Sequence, residues 1–96
     1  MKAADLLNEA AELVSGPRAE QHGDMLDNFE NIAEMLNAFM RIRRDLTEPL
    51  TASQVAICMA LMKIARTQSG AADNPDDLLD AAGYIAIASD LSDDER

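Results

Sequence analysis

Lys63 and Arg66 stand one helical turn apart at the end of an apolar stretch that opens at Val55. A carboxylate-rich segment follows: Asp73, Asn74, Asp76, Asp77 and Asp80. Residues at i and i+3 share a helix face, which pairs the two cations and also pairs Asp77 with Asp80. Such a layout can hold a ligand phosphate on Lys63 and Arg66. It can also hold Mg2+ on Asp77 and Asp80, because Mg2+ takes one or two carboxylates together with phosphate oxygens and water. The same residues can instead close on one another as an internal ion-pair network. A buried ammonium or guanidinium costs several kcal/mol unless it meets an anion, and Asp77 or Asp80 is within reach in sequence.

The carboxylates are not equivalent. Asp76 and Asp77 suit the first turn of a helix, where the dipole favours negative charge, so their presence needs no ligand. Asp80 lies mid-helix among apolar neighbours, one turn from Gly83 and Tyr84, with no capping role. Lys63, Arg66, Asp80 and Tyr84 therefore form the core of the candidate site. Glu30 and Glu34, at i and i+4, would complete a metal cage but fall on a helix face assigned to solvent. A second segment of interest is Arg18-Ala19-Glu20-Gln21-His22-Gly23-Asp24. Asp24 is placed as a helix N-cap. His22 is a candidate phosphate donor or base, or a plain loop residue, and Asn28 is a candidate reader of a base or ribose.

Composition narrows the classes. At 96 residues, a chain folded alone hides only about 60–65% of its unfolded surface. Hydrophobic residues still reach 48%, with 3% aromatic and six methionines, an excess that predicts burial between subunits and hence a homo-oligomer. The net charge of −10 opposes general nucleic-acid binding while leaving room for a compact nucleotide at a local cluster of cations. Cys58, the single cysteine, sits in the most apolar run and reads as a small hydrophobe. No cleavable leader opens the chain and no apolar run has membrane-spanning length, so a cytoplasmic protein without membrane contact is expected. The methionines read as filler rather than as a metal box. No P-loop, GxGxxG, nucleophile elbow or zinc-ligand spacing occurs.

Four helices position these residues, giving an all-α bundle over residues 1–91 with an acidic, frayed tail at 92–96. The first covers about Lys2 to Val14, with Ala3, Leu6, Leu7, Ala10, Leu13 and Val14 on one stripe, and stops at Ser15-Gly16-Pro17. The second runs from about Met25 to Arg44, with Arg41, Arg43 and Arg44 in its last turn where the dipole favours cations, and is expected to bury Phe29, Ile32, Leu36 and Phe39. Thr51-Ala52-Ser53-Gln54 is a capping box that opens the third helix, which has no polar face from Val55 to Met62 and should be the central element. Asn74 as N-cap with Pro75 at the first helical position opens the fourth. That helix is expected to reach about Leu91 and to bury Leu78, Ala81, Ala82, Tyr84, Ile85 and Ala88.

The combination of Arg18–Asp24, Asn28-Phe29, Ile32-Ala33, Val55-Ala56, Leu61-Met62-Lys63-Ile64-Ala65-Arg66 and Asp80-Ala81-Ala82-Gly83-Tyr84 resembles a family of small, mostly uncharacterised proteins of tailed bacteriophages and prophages. The resemblance spans about Glu9 to Leu91. The chain is also distantly similar to nucleotide-modification-associated phage domains and to the all-α, MazG-like NTP pyrophosphohydrolases. That similarity implies a helical oligomer that binds Mg2+ through acidic residues and cleaves nucleoside triphosphates. Their EExxE…ExxD motif survives here as Asp77-Leu78-Leu79-Asp80 and, without the doublet, as Glu30 and Glu34. Three functions compete: a nucleotide-binding or nucleotide-hydrolysing phage protein, a non-catalytic sponge for a nucleotide immune signal of the host, and an acidic protein that inhibits a host factor.

Overall fold

A computed structural model describes residues 1–15, 25–69 and 75–95. They form four helices and no strand: α1 (Ala3–Ser15), α2 (Met25–Ile42), α3 (Ala52–Arg66) and α4 (Pro75–Asp94). The all-α expectation holds among the described residues. No helix among them is long and apolar enough to cross a membrane. The expected N-caps Asp24 and Asn74 lie outside the described residues.

The start of α3 is built from its own sequence. Thr51 Oγ1 accepts the Gln54 backbone N–H at 3.2 Å, and the Gln54 side-chain oxygen accepts the Thr51 N–H at 3.1 Å, closing the capping box. The same Gln54 oxygen accepts Arg43 Nη1 at 3.1 Å, while Arg43 Nη2 donates to the Glu48 carbonyl at 2.7 Å. Arg43 thus ties the connection between α2 and α3 to the first turn of α3. The sequence places it as a cation favouring a helix C-terminus, but α2 ends at Ile42 and Arg43 bridges onward instead.

α3 contacts both α2 and α4, with α4 the more extensive neighbour. The two run antiparallel: Ser53 at the start of α3 meets Glu95, and Arg66 at its end meets Asp77. Along α3 the inward positions are Ser53, Ala56 and Ala60, with Lys63 half-buried. Along α4 they are Asp77, Ala81 and Ala88, with Tyr84 and Leu91 half-buried. Steps of three and four residues alternate on both helices, the spacing that keeps one seam facing a partner. Small side chains let the backbones approach closely, yet each alanine methyl contributes only about 0.8 kcal/mol on burial. The polar contacts at the two ends of the seam are therefore needed to hold its register.

Several expected core residues are exposed. On α4, Leu78 and Ile85 are 63% and 55% exposed and Ala82 is also exposed. That helix is apolar on two faces, so periodicity does not identify the packed one. On α2, Phe29 is 61% exposed, whereas Ile32, Leu36 and Phe39 are half-buried. Leu6, Leu7 and Leu13 of α1 are exposed because no other described helix packs substantially on them. The acidic end also differs from a frayed tail. α4 continues through Asp94, and Glu95 bonds to Ser53, 42 residues earlier in the chain.

Candidate functional site

The candidate residues converge where the end of α3 crosses the start of α4. Lys63 and Arg66 project from the last turn of α3 toward α4, because they continue the seam that Ala56 and Ala60 begin. Lys63 Nζ lies 3.0 Å from Asp80 Oδ2, and Arg66 Nε lies 3.2 Å from Asp77 Oδ1. The pairs differ in solvation. The Lys63 and Asp80 side chains are 17% and 45% exposed, and those of Arg66 and Asp77 are 22% and 5%. The Arg66–Asp77 approach is an ion-pair contact outside hydrogen-bond geometry, so Asp77 Oδ1 is charge-compensated but accepts no hydrogen bond.

Asn28 belongs to the same end of the molecule. It is buried near the start of α2, and its Oδ1 accepts the Ser69 hydroxyl at 2.9 Å just beyond the end of α3. In this arrangement Asn28 joins α2 to the turn after α3. Ser69 carries no motif of its own, so its part in the contact has no local signal. His22 lies outside the described residues.

Beside the Lys63–Asp80 pair is an open concavity of about 340 Å³, lined by Leu79, Asp80, Gly83, Tyr84 and Ile87. Every one of these lining residues comes from α4. Tyr84 and Asp80 are expected at a site from the sequence. Gly83 is not, although a glycine in mid-helix is itself a signal because it costs stability. A second concavity, of about 300 Å³, lies between α2 and α3 and is lined by Asn31, Glu34, Met35, Ile64, Ala65 and Gln68. Glu34 therefore borders a separate groove from the one beside Asp80.

The two carboxylates that the sequence offers to Mg2+ each face a cation in this structure. Mg2+ needs near-octahedral oxygen coordination and carboxylates free to bind it. Asp77 is buried against Arg66 and Asp80 is engaged by Lys63. Among the described residues no group of three or more His, Cys, Asp or Glu side chains could hold a metal ion. Cys58 is half-buried on α3, and burial pushes its thiol above the ordinary range against the opposing charge of Arg43.

A family model described as a domain of unknown function, DUF6378, matches residues 5–92. The chain is 34% identical over 93 residues to the Gene 55 protein of Mycobacterium phage L5, covering 95% of this chain and 56% of that protein. It is 34% identical over 79 residues to the Gene 55 protein of Mycobacterium phage D29, covering 82% of this chain and 48% of that protein. The chain thus spans about half the length of these curated relatives. No solved structure matches it significantly. With nearly its whole length matched by the family model, the chain belongs to the DUF6378 family, and its curated relatives are bacteriophage proteins.

Proposed function

We propose that the chain binds a nucleotide phosphate at Lys63 without turning it over. The observation that carries this reading is the Lys63–Asp80 pair, whose carboxylate is 45% exposed over a mostly covered ammonium, beside a concavity lined by Tyr84. With its carboxylate open to solvent, the pair contributes on the order of 1 kcal/mol. Exchanging the Asp80 carboxylate for a phosphate therefore costs little, and the phosphate brings more charge and more acceptor oxygens. Tyr84 then offers an aromatic face for a base.

Arg66 and Asp77 play a different part. Removing one partner from a well-buried pair costs about 3–5 kcal/mol, so the deeply buried Asp77 keeps its cation. Arg66 fixes the angle between α3 and α4, and Lys63 is the exchangeable cation. With Asp77 held by Arg66, metal-dependent hydrolysis as in the MazG-like enzymes would leave only Asp80 of this carboxylate pair to hold the metal. Binding without turnover is also the chemistry a sponge for nucleotide signals would use.

Calorimetry with nucleoside di- and triphosphates and cyclic nucleotides, in the absence of divalent cations, tests the reading. Saturable heat from at least one of them, with no pyrophosphate release when Mg2+ or Mn2+ is added, is expected. No heat from any of them removes the binding reading, and metal-dependent pyrophosphate release replaces it with an enzyme.

A further inference from the structure

Gly83 lines the concavity beside Asp80, and the packing of α4 gives no reason for a glycine there. It stands in the interior of the helix, where glycine is destabilising relative to alanine by about 0.5–1 kcal/mol. A side-chain methyl added at this position would meet nothing within 4 Å, so no described neighbour excludes one. The missing side chain keeps a space open rather than admitting another part of the chain.

Helix geometry turns that space into a notch. Leu79, Gly83 and Ile87 follow at intervals of four and form one ridge along α4, with Asp80 and Tyr84 on the ridge beside it. Leu79 and Ile87 are 69% and 49% exposed and stand about 12 Å apart along the helix axis. Between them the ridge is interrupted down to the backbone of Gly83. The concavity, of about 340 Å³, is at the lower end of the range for small-molecule sites.

The walls select what can enter. Two aliphatic side chains and an aromatic one offer apolar surface, and the polar groups are the Tyr84 hydroxyl and the Asp80 carboxylate, which faces Lys63. A further phosphate would meet no cation among these lining residues, whereas a flat ring with apolar faces and a polar edge matches them. Asp80 lies one turn from Gly83, a rise of about 4.5 Å, so a single nucleotide can reach from Lys63 to the notch.

Resting on the reading that a nucleotide phosphate binds Lys63, we infer that the base of that nucleotide enters this notch. Gly83 is the position that admits the ring between Leu79 and Ile87 and against Tyr84, and so sets which ligands fit.

Calorimetry of Gly83→Ala and Gly83→Leu with nucleoside di- and triphosphates and cyclic nucleotides, without divalent cations, tests this beside thermal unfolding of each variant. Alanine and leucine both suit a helix better than glycine, and the position is exposed, so melting temperatures should hold or rise. Affinity should move the other way. Gly83→Leu is expected to weaken nucleotide binding roughly tenfold or more, with a smaller loss for Gly83→Ala. In the wild type saturated with nucleotide, the methyl resonances of Leu79 and Ile87 should shift upfield in NMR spectra as the face of the ring approaches them. A wild type that binds no nucleotide removes the phosphate reading and this inference with it. A wild type that binds, beside a Gly83→Leu variant that binds equally well, overturns the notch alone and leaves Lys63 in place. So do unshifted Leu79 and Ile87 methyls in the bound state.

Discussion

Glu95 closes over the first turn of α3 by accepting from both hydrogen-bond donors of Ser53: one carboxylate oxygen accepts the backbone N–H at 2.9 Å and the other accepts the hydroxyl at 2.5 Å. A carboxylate at a helix N-terminus meets unpaired N–H groups and the positive end of the dipole. The end of α4 therefore fixes the start of α3, and the seam between them is held at both ends by polar contacts.

This contact sets a pH dependence. The Ser53 hydroxyl and then its backbone N–H hold the Glu95 carboxyl below its ordinary value of 4.5. A lowered folded-state pKa gives stability that is present above the unfolded value and lost as pH falls through the folded one. Glu95→Gln is expected to lower the melting temperature at neutral pH. Its difference from the wild type should shrink as the solution is acidified through and below the carboxylate range. A difference of the same size at acid pH would show that the charge on Glu95 is not the stabilising element.

The two ion pairs should separate in chemical denaturation. Asp77→Asn leaves Arg66 facing a neutral group at a buried position and is expected to cost about 1–3 kcal/mol, reduced from the fully buried figure because Arg66 is partly exposed. Asp80→Asn, at a half-exposed pair, should change stability by less than about 1 kcal/mol. Equal losses from the two variants would contradict the division into a fixed and an exchangeable pair.

The closeness of α3 and α4 depends on alanine. Ala60 is 3% exposed on the seam, so Ala60→Leu forces the helices apart and is expected to cost about 1–3 kcal/mol. Ala52→Leu, on the exposed first turn of α3, should fall within about 0.5 kcal/mol of the wild type. Thermal or urea unfolding of both variants checks the contrast.

What the residues reveal in advance is mostly local. The Thr51–Gln54 capping box and the start of α4 at Pro75 depend on neighbours within one turn, and the helices form there. The pairing of Lys63 and Arg66 with Asp80 and Asp77 is one of two readings open from spacing alone, and the structure contains those contacts. What escapes is set by partners distant in sequence. Nothing near Glu95 marks it as a cap for Ser53, and nothing near Asn28 marks its bond to Ser69. The packed face of α4 is misjudged because Leu78 and Ile85 look like core residues, while the true seam is made of Ala81, Ala88 and the charged Asp77. Arg43 looks like a dipole-stabilising cation and instead organises the turn before α3.

Phosphate exchange on Lys63 is tested most directly by the affinity of Asp80→Asn for whichever nucleotide the wild type binds, measured by calorimetry without divalent metal beside Lys63→Met. In the proposed site Asp80 competes with the ligand for Lys63, so Asp80→Asn should bind more tightly than the wild type and Lys63→Met should lose binding. Weaker binding by Asp80→Asn, or undiminished binding by Lys63→Met, would contradict the proposed role of this pair.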